Sequence, residues 1–181
     1  MRYRKTINRI AVPVCCLLLV FFVLSCHGNK PKPIKIGEAI PSFTSRDLDG
    51  KTISLTDFKN KPVILRFFLV DCNFCRADTP EFNDFFNKNK QKGLQIIYIN
   101  NNASSLEAVR TFAQDLKIPF PVIFDPKGKI AETYNVKLQP LTLVLDPDHR
   151  LLAALMGGVS EIELQNLLKT YLYWEHTEET E

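Results

Sequence analysis

The sequence predicts an α/β domain in which a central mixed β-sheet is flanked by helices and carries an N-terminal β-hairpin extension. Three observations support this. Residues 63–70, Val-Ile-Leu-Arg-Phe-Phe-Leu-Val, are a nearly continuous apolar run of strand length, the mark of a strand buried on both faces of a partly parallel sheet. From there to Phe124, strand-like runs alternate with segments of helical periodicity. Two further runs, 141–145 and 150–156, are separated only by Asp146-Pro147-Asp148-His149, a turn that folds them into an antiparallel pair and makes the sheet mixed.

Taken in order, residues 43–46 and 52–55 flank Asp47-Leu48-Asp49-Gly50 and read as a hairpin with an Asp-Gly turn. Thr56 or Asp57 is expected to cap a single helical turn before Pro62. After the first long strand, Phe82, Phe85, Phe86 and Asn89 recur at helical spacing, and the phenylalanines read as core. Pro80 lies inside that helix, where a kink is expected, and Gly93 ends it. Residues 94–100 form a second buried strand, Ser104 or Ser105 caps a helix to Leu116, and residues 118–124 carry into a third extended piece. A short helix over 128–134 leads through Pro140 to the antiparallel pair. Ser160 and Glu163 then form a capping box for a last helix through Tyr173, with Trp174 packing its end.

The chemistry concentrates in Cys72-Asn73-Phe74-Cys75, between the first long strand and the first long helix. A thiol delivered to a helix N-terminus faces unpaired backbone N–H groups and the positive end of the helix dipole, which favours thiolate. Cys72 is therefore expected to attack. Cys75, one turn further on the same face, is positioned to resolve a mixed disulfide.

The N-terminus reads as an export signal over residues 1–25. Arg2, Arg4, Lys5 and Arg9 precede an apolar run from Ile10 to Leu24 that is too short, and interrupted by Pro13, for a membrane span. Val23-Leu24-Ser25-Cys26 is similar to a bacterial lipoprotein box, which would put a lipid on Cys26; a plain signal or uncleaved anchor with an incidental cysteine is the alternative. Residues 26–35 read as a tether, 36–173 as the domain and 174–181 as an acidic tail. With the signal removed and Cys26 acylated, Cys72 and Cys75 are the remaining thiols, and an oxidising compartment would hold them as a disulfide unless something reduces it. The signal contains 4 of the 23 basic residues and no acidic ones, leaving 19 against 20 and a net charge of −1. Nothing in that balance favours nucleic acid as a partner.

Together with the element order, three ordered matches resemble the thioredoxin fold, specifically the TlpA/ResA-like thiol-disulfide oxidoreductases. Gly37-Glu38-Ala39-Ile40-Pro41-Ser42-Phe43 is similar to G-x-x-x-P-x-F. Residues 72–80 are similar to C-x-x-C-R-x-E-x-P, with Asp78 in place of glutamate. Tyr134-Asn135-Val136, followed by Gln139 to Asp146, is similar to Y-x-V…P-T-x-x-x-D. The resemblance implies that Pro140 is cis beside the cysteines and that Gln139 offers backbone to an extended substrate. It further implies reduction of protein disulfides such as those of apocytochrome c, electrons from a membrane thiol donor, and a domain outside the cytoplasm.

Two residues depart from that pattern. Asp71 stands where the family generally has tryptophan, and its charge opposes thiolate formation at Cys72. Arg66 stands six residues before Cys72, where Asp or Asn is usual, and is expected either to tune the sulfurs or to form an ion pair with Asp71 or Asp78, the latter ranking ahead. Asp78 reads as a proton relay or as an acid in the first helical turn. The non-enzymatic alternative is a binding module that captures metal or a client thiol. However, a closed zinc site needs four ligands, and the histidines are His27 in the tether, His149 in a turn and His176 in the tail. No metal or cofactor is expected. A peroxiredoxin is disfavoured because P-x-x-x-[TS]-x-x-C is absent.

Overall fold

The computed structural model describes residues 33–102 and 105–172. The signal, Cys26, most of the tether, Ser104, Tyr173, Trp174 and the acidic tail lie outside the described residues. The chain runs through β1 (Thr44–Arg46), β2 (Thr52–Ser54), β3 (Val63–Phe68), α1 (Asn73–Asn89), β4 (Gln95–Asn100), α2 (Leu106–Asp115), β5 (Val122–Phe124), α3 (Lys129–Thr133), β6 (Leu141–Leu145), β7 (Leu151–Met156) and α4 (Glu161–Leu172). The central sheet has the order β5-β4-β3-β6-β7. β3 is parallel to β4 and β4 to β5, while β6 runs antiparallel to both β3 and β7. The mixed sheet and the separate β1–β2 hairpin follow the sequence expectation.

Alternation along the strands assigns the two faces. Ile64, Phe68, Ile96 and Tyr98 point into one apolar core with Phe82 and Phe85 of α1, Val109 and Phe112 of α2, and Leu164, Leu168 and Leu172 of α4. Val63, Leu65, Phe67, Ile97 and Ile99 point into the other, covered by Phe43, Ile53, Ile130 and Tyr134. β3 is buried along its whole length, as its unbroken apolar run implies. At the start of β7, Ala39 forms an antiparallel bridge to Arg150, and Gly37 N–H donates to Leu151 O at 2.8 Å. The N-terminal segment thus joins the sheet at the end away from Cys72. Ile34 packs against the second core, so the packed region begins before residue 36.

Local chemistry moves two boundaries. β3 stops at Phe68 rather than Val70, because the chain must turn over residues 69–71 to present Cys72 to α1. The single turn Leu55–Phe58 is capped by Ser54, not Thr56 or Asp57; Asp57 is its third residue and accepts from Ser54 N–H at 2.9 Å. Other signals agree: Ser105 accepts from Ala108 N–H, Gly93 at φ +94° closes the 3-10 turn Lys90–Lys92 that continues from α1, and Ser160 and Glu163 form the box at α4.

The approach to Pro140 is organised by a buried carboxylate. Asp125 accepts from the N–H groups of Lys129, Ile130 and Ala131 at 2.9, 2.8 and 3.2 Å, fixing the first turn of α3. Asp125→Ala is expected to lower unfolding free energy by about 2 kcal/mol in urea titration, since two buried donors and one part-buried donor lose a charged acceptor.

Candidate active site

Strand β3, the turn at 69–71 and the start of α1 together position the cysteines. Cys72 is extended (φ −82°, ψ 115°) and is the N-cap of α1, its Sγ accepting from Cys75 N–H at 3.1 Å. The sulfur therefore occupies the acceptor position that a Ser or Asp oxygen takes in other caps, at the positive end of a 17-residue helix. Cys72 and Cys75 are joined as a disulfide with Cα atoms 5.2 Å apart. Their exposures differ: Cys72 is half-buried, whereas Cys75 is 1% exposed. Arg76 fastens the preceding turn, donating from Nε to Val70 O at 3.3 Å while its guanidinium lies 5.1 Å from the centroid of Phe112.

One turn beyond Cys75 on α1, Asp78 enters a buried ionic network. Arg66, 0% exposed, shares its sheet face with its register partners Tyr98 and Thr142. Its Nη2 meets Asp78 Oδ2 at 2.5 Å, and its Nη1 donates to Thr142 Oγ1 at 2.6 Å and to Gly157 O at 3.0 Å. Asp78 Oδ2 also accepts from Val159 N–H at 3.2 Å, while Oδ1 is buried with no hydrogen-bond partner among the described residues. Burial pushes the Asp78 carboxyl up to about 6, against the opposing pull of Arg66 and the Val159 N–H. Desolvation lowers Arg66, opposed mainly by Asp78, and burial raises the Tyr98 phenol. Of the two ion-pair partners expected for Arg66, Asp78 is the one found. Asp71 is exposed and makes no ion pair among the described residues.

The Gln139–Pro140 bond is cis. Pro140 O accepts from Gly157 N–H at 3.0 Å, and the Gln139 side-chain amide contacts Asn101 Oδ1. Arg66 and Asp78 are thereby linked through the 157–159 loop to Pro140. The loop, Thr142 and the hydroxyl of Thr79, which donates to Cys75 O at 2.5 Å, were not singled out from the sequence. One signal for Thr142 was available, since it is the polar residue of an apolar strand just as Arg66 is the charged residue of another. A groove of about 550 Å³ between the hairpin and α2, lined in part by Asp47, Arg110 and Lys117, does not include the cysteines. Among the described residues no group of three His, Cys, Asp or Glu side chains could hold a metal, and no helix is long and apolar enough to cross a membrane.

Comparison with known proteins matches the model of the AhpC/TSA family to residues 36–154. The thiol-disulfide oxidoreductase ResA of Bacillus cereus is 32% identical over 167 residues, covering 90% of this chain and 96% of that protein. ResA of Bacillus subtilis is 29% identical, covering 87% of this chain and 88% of its own length. Among solved structures, a thiol:disulfide interchange protein from Bacteroides sp. is 25% identical with a TM-score of 0.67, covering 80% of this chain and 94% of that one. The thioredoxin domain of a Bacteroides vulgatus thiol-disulfide oxidoreductase is similar in fold, with a TM-score of 0.66 over 77% of this chain and 99% of that one, at 24% identity.

The raised Asp78 value sets a pH dependence. Because the folded chain holds this proton more tightly than the unfolded chain, the contribution of Asp78 to stability falls as pH rises from about 4 to about 6. In urea titrations across that window, Asp78→Asn is expected to gain stability relative to the unaltered chain as pH rises; parallel curves would show that Asp78 does not titrate there.

Proposed function

The chain belongs to the AhpC/TSA family and is a thiol-disulfide oxidoreductase of thioredoxin fold, and from that premise we propose that it is a ResA-like, membrane-tethered reductant of protein disulfides. The observation that carries the reading is the asymmetry of the cysteines: one sulfur accessible at a helix N-cap, the other enclosed one turn behind it. In the reduced chain, the Cys72 thiolate attacks one sulfur of a client disulfide. That S–S bond breaks, the Cys72–client bond forms, and the departing client sulfur takes a proton. Cys75 loses its proton and attacks Cys72 Sγ, releasing the second client thiol and leaving the Cys72–Cys75 disulfide. Two electrons pass to the client, and a membrane thiol donor restores the dithiol.

Asp78 is one turn beyond Cys75, has an unpartnered buried oxygen and titrates at about 6, which suits it to hold the proton Cys75 gives up. Arg66 tunes the pair through Asp78, whose charge it balances, while Asp71 acts on Cys72 from the solvent side. Gln139 and cis-Pro140 offer backbone to an extended client strand. Residues 1–25 serve as the export signal, lipid on Cys26 anchors the chain to a bacterial membrane, and residues 26–35 tether a domain that works outside the cytoplasm; residues 174–181 are an acidic tail.

With a disulfide-bonded protein client, Cys75→Ser is expected to accumulate the mixed disulfide on non-reducing gels and Cys72→Ser to accumulate none. Equal trapping by both variants would remove Cys72 as the nucleophile.

A further inference from the structure

The 157–159 loop has no cysteine and no side chain that could do chemistry, yet it is tied on every side. Gly157 N–H donates to Pro140 O, Gly157 O accepts from Arg66 Nη1, and Val159 N–H donates to Asp78 Oδ2. A Cβ at Gly158 would stand 3.9 Å from Cδ1 of Phe74, the exposed residue between the cysteines. The same guanidinium is held in orientation by Thr142 Oγ1 and by the Phe82 ring, 5.2 Å from its Cζ. Neutralising Asp78 would need only a positive charge. Gripping Asp78, Thr142 and a loop carbonyl at once needs a planar fork.

We propose that Arg66 is a positioning residue for the oxidoreductase reaction: its guanidinium, directly through Gly157 O and through Asp78 to Val159 N–H, holds the 157–159 loop as a third wall of the client cleft beside Cys72 and Pro140. The cleft assignment rests on the reading that the client lies against Pro140. The loop's attachment does not, and the two are measured separately.

The test is Arg66→Lys in the full chain, which keeps a positive charge near Asp78 but not the fork. Amide hydrogen exchange at Gly157 and Val159, the two bonded N–H groups of the loop, is expected to accelerate about tenfold, as local opening becomes easier. In insulin reduction driven by dithiothreitol, KM is expected to rise by a larger factor than kcat falls, with a smaller loss when glutathione disulfide is the substrate. Thr142→Val, which keeps the ion pair and removes one anchor of the fork, is expected to move both readouts in the same direction by a smaller factor. Exchange at wild-type rates in both variants, or in Thr142→Val alone if Arg66→Lys does not fold, overturns the proposal. Fast exchange with an unchanged insulin KM overturns the loop's role as a client wall. Cysteine trapping tests the underlying reaction independently of either result.

Discussion

A guanidinium buried at the centre of a five-stranded sheet is the constraint on which the redox end of this molecule depends. Arg66 lies among Ile64, Phe68, Phe82 and Tyr98, and a charge so enclosed destabilises the fold strongly unless it is paired and hydrogen-bonded. Its partners come from different parts of the chain: Asp78 from the helix that carries the cysteines, Thr142 from the strand that follows Pro140, and Gly157 from the turn before α4. Satisfying one side chain therefore brings together α1, which carries the cysteines, β6 and the β7–α4 connection. The pair also leaves a buried carboxylate oxygen without a partner among the described residues, and burial of the group raises Asp78 in spite of the guanidinium beside it.

The sulfur chemistry rests on a second economy. Cys72 is both helix cap and half of the disulfide, so the N–H group that would otherwise need an oxygen acceptor is directed at a bonded sulfur. The shortened β3 and the turn at 69–71, held by Arg76, are the backbone conditions for this arrangement.

Much of this was legible in the sequence, and the reasons differ by element. The unbroken apolar run at 63–70 announced a doubly buried strand because β3 has helices or connecting segments over both faces. Ser105, Gly93 and the Ser160–Glu163 box fell where cap chemistry puts them. The cysteine pair, Arg66, Asp78 and Pro140 were identified by spacing and resemblance. Long-range partnership was not legible: the contact of Arg66 with Gly157 spans 91 residues, and its partner there is a backbone carbonyl that any residue could supply. Thr142 is separated from Arg66 by 76 residues, and only strand register brings the two together. The cap of the short turn at 55–58 falls two residues or more before the expected Thr56 or Asp57 for a local reason. Ser54, Thr56 and Asp57 are all competent caps, and only the end of β2 decides among them.

The bridge between Ala39 and Arg150 gives the domain a polarity. β7 begins there and ends beside β6's first residue, so the incoming chain grips the sheet at its foot while the cysteines crown the opposite end, roughly 20 Å away along six residues of strand.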